Sequence, residues 1–384
     1  MQIGENMSWV DFVNLRAETY ASEDNRIPCV EIGTTQQDAE RRDFTINSLF
    51  YNLATKQVED FTRRGIEDLE NGRLRTPLNP RVTFLDDPLR VLRAVRFASR
   101  FNCRLDDDLR LAAKLEEVRV AFLRKVSRER VGKELSGMLT GSSAHPEHKT
   151  PVCYANGEPA QVDVKMWDRG CTNVLEMHRL ISMDEAFDID KLSAEEKHDF
   201  QVRILAAFLL PFRSLCVRDK RRRSVAMFVV QDSLKWSNRE AKDVCNILSH
   251  VDQLQQAATK DFDRVEIGLL IRNIGIQWKL CLDVVRTQDL ADAGPVDEAV
   301  EARNTVSKRY DTFSLRIQNA CLDRVWELKP LLNGADLTKE LNVRPGPHIK
   351  NLLDHIMAWQ LGNPKGSRAE CMAYTKTIVA AETK

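Results

Sequence analysis

Two short stretches of this sequence carry side chains whose types and spacing could do chemistry. The first is Arg41-Arg42-Asp43-Phe44-Thr45-Ile46-Asn47. Adjacent guanidinium groups are planar forks that bind phosphate oxygens bidentately, and an amide four residues beyond Asp43 suits a ribose hydroxyl. A solvated, charged helix start is the plainer reading of the same letters. The second is Asp86-Asp87-Pro88-Leu89-Arg90-Val91-Leu92-Arg93-Ala94-Val95-Arg96-Phe97. On a helix, Arg90, Arg93, Arg96 and Arg100 share one face, while Val91, Leu92, Val95 and Ala98 take the other. Asp87 and Arg90, at i and i+3, are neighbours near the helix start, where Pro88 fits the first turn. An ordinary salt-bridged helix would show the same pattern.

A sharper reading asks what that pair could recognise. A carboxylate accepts hydrogen bonds and a guanidinium donates them. Side by side, they complement an edge with an exocyclic amino donor next to a ring-nitrogen acceptor. Cytosine and adenine both show that edge; uracil and guanine show the reverse order. The pair would therefore accept CTP and ATP and reject UTP and GTP, because the wrong base leaves buried polar groups unpaired.

The elements that must position these groups follow from the patterning. Residues 8–15 are β-prone, 17–28 read as a loop, and 44–51 as a short docked helix. Residues 56–61 read as a strand or hairpin arm, 63–65 as a turn and 66–70 as a helical turn. From Asp86 to about Thr140 apolar residues recur at helical spacing, giving two or three helices. Helical text runs from about Val174 to the end, punctuated at Pro211, Gly294-Pro295 and Pro345-Gly346-Pro347. The fold class is mostly α, α+β overall: a small mixed piece, then a helical body.

Composition narrows the partners. Lys+Arg and Asp+Glu are both 57, so any basic surface for a polyanion must be local. With 43% hydrophobic and 30% charged residues the 384-residue chain reads as folded and large enough for two or three modules. No apolar run is long enough to span a membrane. Nine cysteines, an odd number without a C-x-x-C, exclude a zinc ribbon and a full disulfide framework. His145, His148, Cys153 and Cys171 fit no standard metal spacing. The loop-like text over 142–171 reads instead as a local insertion.

The order R-R-D-x-x-x-N, then D-D-P-L-R-V-L-R-A-V-R-F, resembles class II tRNA nucleotidyltransferases, the CCA-adding enzymes of the nucleotidyltransferase and poly(A) polymerase superfamily. The resemblance covers roughly the first third of the chain and implies roles for particular residues. Arg42, Asp43 and Asn47 would bind triphosphate and ribose; Asp87 and Arg90 would template the base, with Asp86 where a Glu is usual; Arg93 would support them. Asp60 and Gly65 match a hinge-like D-x-x-x-x-G element. Residues 126–135 resemble the helix that follows the template, and 10–16 the strand leading to a flexible loop. Asp11 matches a possible third carboxylate. Gly334 and Gly346, in a fainter tail match, would present backbone N–H groups to RNA phosphate.

That resemblance implies a partial nucleotidyltransferase head over 1–84, remnant of a palm sheet, then a helical neck with the templating helix over 85–142. A helical body over 143–260 and a tRNA-binding tail over 261–384 would follow. It implies template-independent addition of CCA to tRNA from CTP and ATP with Mg²⁺, in the nucleus, cytoplasm or mitochondrion. The family's Gly-Gly and D-x-D metal motif is expected further upstream of Arg41 than the forty residues present. Asp188-Ile189-Asp190 and Asp261-Phe262-Asp263 have the letters without the glycines, and Asp106-Asp107-Asp108 reads as a helix cap. The chain is thus expected to be N-terminally truncated, holding no metal itself and shaping a nucleotide pocket without efficient catalysis. A poly(A) polymerase-like or partial CCA-adding enzyme, and a non-catalytic tRNA-binding short form, are the alternatives. The basic run Arg218-Asp219-Lys220-Arg221-Arg222-Arg223 is read as a solvated loop.

Overall fold

The computed structural model describes residues 2–3, 8–9, 13–19, 29–140, 164–182, 188–189, 191–217, 223–341, 346 and 348–382. Its strands pair two by two. β1 (Gln2–Ile3) pairs with β2 (Ser8–Trp9), and β3 (Arg16–Thr19) with β4 (Cys29–Ile32), both antiparallel. After α1 (Thr35–Glu40) and a 3₁₀ turn at Thr45–Asn47, β5 (Leu49–Asn52) pairs antiparallel with β6 (Gln57–Asp60). Then come α2 (Gly65–Glu70), β7 (Arg73–Leu74), α3 (Pro80–Asp86), α4 (Arg90–Phe101) and β8 (Arg104–Leu105), which pairs parallel with β7.

Past β8 the named elements are helical: α5 (Asp107–Ala113), α6 (Glu116–Lys125), α7 (Arg128–Thr140), α8 (Val164–Ser182), α9 (Ala194–Leu209), α10 (Val225–Phe228), α11 (Asn238–Thr259), α12 (Arg264–Ile274), α13 (Trp278–Ala293), α14 (Val300–Asn319), α15 (Gly334–Leu341), α16 (His348–Gly362) and α17 (Arg368–Glu382). The mostly α expectation holds. No helix among the described residues is long and apolar enough to cross a membrane.

Several local expectations change. Of the strand expected over 8–15, Ser8–Trp9 is a strand and 10–12 lie outside the described residues; a further strand begins at Arg16 and runs into the loop expected over 17–28, because residues 29–32 supply the partner backbone. The short helix expected over 44–51 is a 3₁₀ turn followed by β5. Phe50 and Tyr51 are β-prone, and β6 lies in register opposite them, so cross-strand pairing wins over local helical propensity. Helical text between Asp86 and Thr140 resolves into α4 to α7, more pieces than expected. Asn102 in a left-handed conformation stops α4, and Asp106 caps α5 by accepting from Asp108 N–H. Pro88 stands before α4 rather than within its first turn; Arg90 N–H and Val91 N–H bond to the Asp87 and Pro88 carbonyls, a tighter turn leading into the helix.

Two small cores fix α4. Phe44, Leu74, Phe84, Ala94, Leu109, Ala112 and Val118 form one, tying the Arg41-Arg42-Asp43 loop to α4 from one side. Leu89, Leu92, Val126 and Met138 form the other, tying α4 to α7. α4 therefore runs between two apolar seats, and its arginines fall on the flank left over. A much larger core, with Val251, Ile271, Trp278 and Val284 among its members, runs from Leu139 to Leu361. Leu332, Leu337, Leu352, Ile356 and Cys371 make a separate cluster near the C-terminus.

Candidate functional site

The loop between α1 and β5 is organised by buried carboxylates. Thr34 caps α1, with Gln37 completing a reciprocal capping box, and this places Asp38 on the helix face under the following arginines. Asp38 is 2% exposed. Its Oδ1 accepts from Arg41 Nε (2.9 Å) and Nη2 (2.6 Å), and its Oδ2 from Arg42 Nε (3.1 Å) and Nη2 (2.8 Å). Arg16 N–H of β3 adds a bond to Oδ1 at 3.0 Å. Burial pushes the Asp38 carboxyl pKa up, but the Arg42, Arg16 and Arg41 donors together hold it below its usual value. Arg42 also donates Nη1 to the Asn47 carbonyl at 2.8 Å and lies over the Phe50 ring.

Asp43 turns the other way. Its Oδ1 accepts from Phe44 N–H and from Asn47 Nδ2, each at 3.0 Å, so the carboxylate and the amide are locked together. Its Oδ2 accepts from Arg93 of α4 at 2.7 Å. Arg93 is shared: its Nη1 lies 3.5 Å from Glu134 of α7, and Arg96 donates to the other Glu134 oxygen at 2.6 Å. Burial works against the charge on Arg93, yet the Asp43 and Glu134 carboxylates raise its pKa overall. A continuous chain of ion pairs thus runs from the loop through α4 to α7.

Asp87 and Arg90, joined through the Arg90 N–H to the Asp87 carbonyl at 3.0 Å, take separate side-chain partners. Asp87 is the C-cap of α3; its Oδ2 accepts from Arg130 of α7 at 2.7 Å and its Oδ1 from Leu89 N–H at 3.3 Å. Arg90 reaches back to the loop, donating Nη2 to the Arg41 carbonyl at 2.5 Å and Nη1 to the Thr83 carbonyl at 3.5 Å. The division has a simple cause. Asp87 is in extended backbone before the turn, whereas Arg90 is already in the helix, and each finds the nearest opposite partial or full charge. Arg90 nevertheless brings α4 into direct contact with the twin-arginine loop.

The Asp60 and Gly65 pair forms a tight corner. Asp60 accepts from Thr62 N–H at 3.0 Å, Thr62 Oγ1 at 2.7 Å and Ile66 N–H at 3.2 Å. Burial raises the pKa of its carboxyl, but these N–H and hydroxyl donors bring it below the usual value. A Cβ on Gly65 would meet the Thr45 carbonyl oxygen at 2.6 Å, so only glycine lets α2 start against the loop. Beneath it, buried Asp68 accepts from Thr45 Oγ1 at 2.7 Å and pairs with Arg75.

Gly334 opens α15, where Asn333 Oδ1 already accepts the Ala335 and Asp336 N–H groups. Gly346 precedes α16, and Asp11 lies outside the described residues, as do His145, His148, Cys153 and the basic residues 218–222. Asp261 is exposed and Asp263 caps α12, so neither forms a D-x-D pair on a strand. Among the described residues no three His, Cys, Asp or Glu side chains cluster to hold a metal ion. Asp38, Arg130 and Glu134 pair with the arginines and carboxylates of the two motifs although they lie outside them. Asp38 stands three and four residues before Arg41 and Arg42, and Arg130 and Glu134 stand one helical turn apart; both are spacings that favour contact.

Comparisons with known proteins agree in kind. Residues 2–75 match the family described as Poly A polymerase head domain. The mitochondrial CCA tRNA nucleotidyltransferase of Saccharomyces cerevisiae is 34% identical over 408 residues, covering 96% of this chain and 74% of that protein. Poly(A) polymerase I of Salmonella typhi is 43% identical over 96 residues, only 24% of this chain. Among solved structures, the Bacillus stearothermophilus CCA-adding enzyme in complex with CTP superposes with a TM-score of 0.57 at 18% identity, covering 96% of this chain and 79% of that one, a likeness of fold.

Proposed function

The chain belongs to the CCA tRNA nucleotidyltransferase family, and from that premise we propose how its own residues serve the addition of C, C and A to the tRNA 3′ end. The observation that carries the reading is the network of hydrogen bonds and ion pairs that holds Arg42, Asn47, Arg90 and Arg93 around one junction. Arg41 and Arg42, which share the Asp38 carboxylate, are the guanidinium pair assigned to the triphosphate. Asn47, pinned by Asp43, presents its amide to the ribose. Asp87 and Arg90 read the base: an incoming C or A replaces Arg130 on Asp87 and the Arg41 carbonyl on Arg90, exchanging protein partners for the amino and ring-nitrogen groups of the base. Arg93 keeps α4 against Asp43 while this exchange happens. Asp60 and Gly65 form the corner about which the loop and α2 move.

By this reading the head comprises 1–84, the neck 85–142, the body 143–260 and the tail 261–384, with Gly334 and Gly346 of the tail assigned to tRNA phosphate. CTP and ATP are the substrates and tRNA the macromolecular partner. Mg²⁺ is the metal that such transfer chemistry uses to activate a hydroxyl and clamp a triphosphate. The described residues do not form a site for it, so no step is routed through it. The Saccharomyces relative is described as mitochondrial, and we assign this chain to an intracellular compartment, mitochondrial among them.

The test supplies the protein, extended upstream to include a Gly-Gly and D-x-D motif, with tRNA ending before CCA and with CTP or ATP singly and then together. Addition of two C residues from CTP alone, and completion only with both nucleotides, is expected. Long tails from ATP alone would sink the reading in favour of a poly(A) polymerase, for which the similarity extends over a much smaller part of the chain. tRNA binding with no nucleotide bound would favour the non-catalytic short form.

A further inference from the structure

We propose that Asp38 is a positioning residue for triphosphate recognition, setting the geometry of both Arg41 and Arg42 from a fixed point on the hairpin β3–β4. The inference rests on the assignment of those arginines to the triphosphate. A single carboxylate, 2% exposed, accepts from the Nε and Nη2 of two guanidinium groups and from a backbone N–H. Using Nε and Nη2 of each fork directs both guanidinium planes through the same point. Two χ-rich side chains that would otherwise sample many rotamers are thereby restricted before any ligand arrives. On Arg42, where Nη1 serves the Asn47 carbonyl and Nη2 serves Asp38, each terminal nitrogen keeps a second N–H for an anion.

The carboxylate is itself fixed. Arg16 N–H, its fifth donor, belongs to β3, where Arg16 faces Ile32 of β4. The start of α1 is held against the same strand. Gly33 N–H bonds to the Leu15 carbonyl at 3.0 Å, and a Cβ on Gly33 would lie 2.5 Å from Ala17 N. That contact admits only glycine and leads directly into the Thr34 cap of α1. Asp38 cannot drift relative to the hairpin, so the arginines cannot either. A residue that merely neutralised surplus positive charge would need neither this burial nor two bidentate forks.

The experiment measures CTP and CMP affinities by equilibrium dialysis for the full chain, Asp38→Asn and Asp38→Glu. CMP shares the base and ribose with CTP but lacks the β- and γ-phosphates. The parent should prefer CTP, and Asp38→Asn should lose about tenfold to a hundredfold of that preference with CMP affinity nearly unchanged. Asp38→Glu keeps the charge and both forks and should retain the preference to within about threefold; if Asp38→Asn melts below the assay temperature, this variant alone decides. An unchanged ratio in Asp38→Asn, a folded Glu variant that loses the preference, or equal losses for CTP and CMP would overturn the proposal. A parent without any CTP preference overturns the underlying assignment of Arg41 and Arg42, and this inference with it.

Discussion

The junction around α4 and the large helical core differ in what dominates their contacts: ion pairs beside small apolar seats in one, apolar burial in the other. In the large helical core beyond α7, which runs through body and tail, Ile247, Val251, Leu254, Ile271, Trp278 and Val284 are essentially inaccessible, and stability comes from apolar area removed from water. At the junction, beside two small apolar seats, loop, α4 and α7 are joined by charged side chains: Asp38, Arg41, Arg42, Asp43, Arg93, Arg96 and Glu134. Ion pairs of this kind return little net stability, because desolvation offsets the Coulombic gain. What they supply is direction. Each guanidinium is aimed, and exchanging one partner for a ligand costs far less than opening an apolar core. The large core keeps the chain folded; the junction keeps groups poised.

This contrast can be broken at either end. Trp278→Ala removes a side chain that is 1% exposed and donates Nε1–H to the Asp323 carbonyl at 3.1 Å. It should cost about 3–5 kcal/mol of stability, read by thermal melting, with nucleotide preference intact in the folded fraction. Loss of preference at unchanged stability would erase the division between the two regions. Arg90→Ala should do the reverse. Incorporation of both C and A by the upstream-extended protein should fall about tenfold to a hundredfold, equivalent to about 1.4–2.7 kcal/mol, with tRNA affinity nearly unchanged. An equal loss of tRNA binding would contradict the division of labour.

A smaller effect sharpens the comparison through pH. The Asp38 carboxyl lies below its unfolded value, so its contribution is fully present above the unfolded carboxylate pKa of about 3.9. That contribution is lost as pH falls through the folded-state value. Melting temperature should therefore drop more steeply on acidification below about pH 4 in the parent than in Asp38→Asn. Identical acid slopes would show that the junction carboxylate is not held ionised by its arginines.

Legibility in the sequence divides along the same line. The body was readable as helical text because apolar residues at a 3.6 period need only one buried face. Residues Arg41 to Asn47 and Asp87 to Arg93 were readable as a chemical site because their types are rare in that order. Their partners were not. That Asp87 meets Arg130, and Arg93 meets Glu134, depends on α7 packing over α4 across Leu92, Val126 and Met138, contacts with no local signature. β5 departs from the helix expected over 44–51 for a related reason, while β6 lies within the strand or hairpin arm expected over 56–61. Residues 44–51 are apolar enough for either a helix or a strand, and only the partner in register decides.

The central claim is that Asp87 and Arg90 read the amino edge of the base once it has displaced their protein partners. Equilibrium affinities of CTP, ATP, UTP and GTP for the parent and for Asp87→Asn test it most directly. The parent should bind CTP and ATP at least about tenfold more tightly than UTP and GTP. Asp87→Asn should narrow that gap, because a carboxamide can turn either a donor or an acceptor to the base. Four equal affinities in the parent, or a gap that survives Asp87→Asn, would contradict the account.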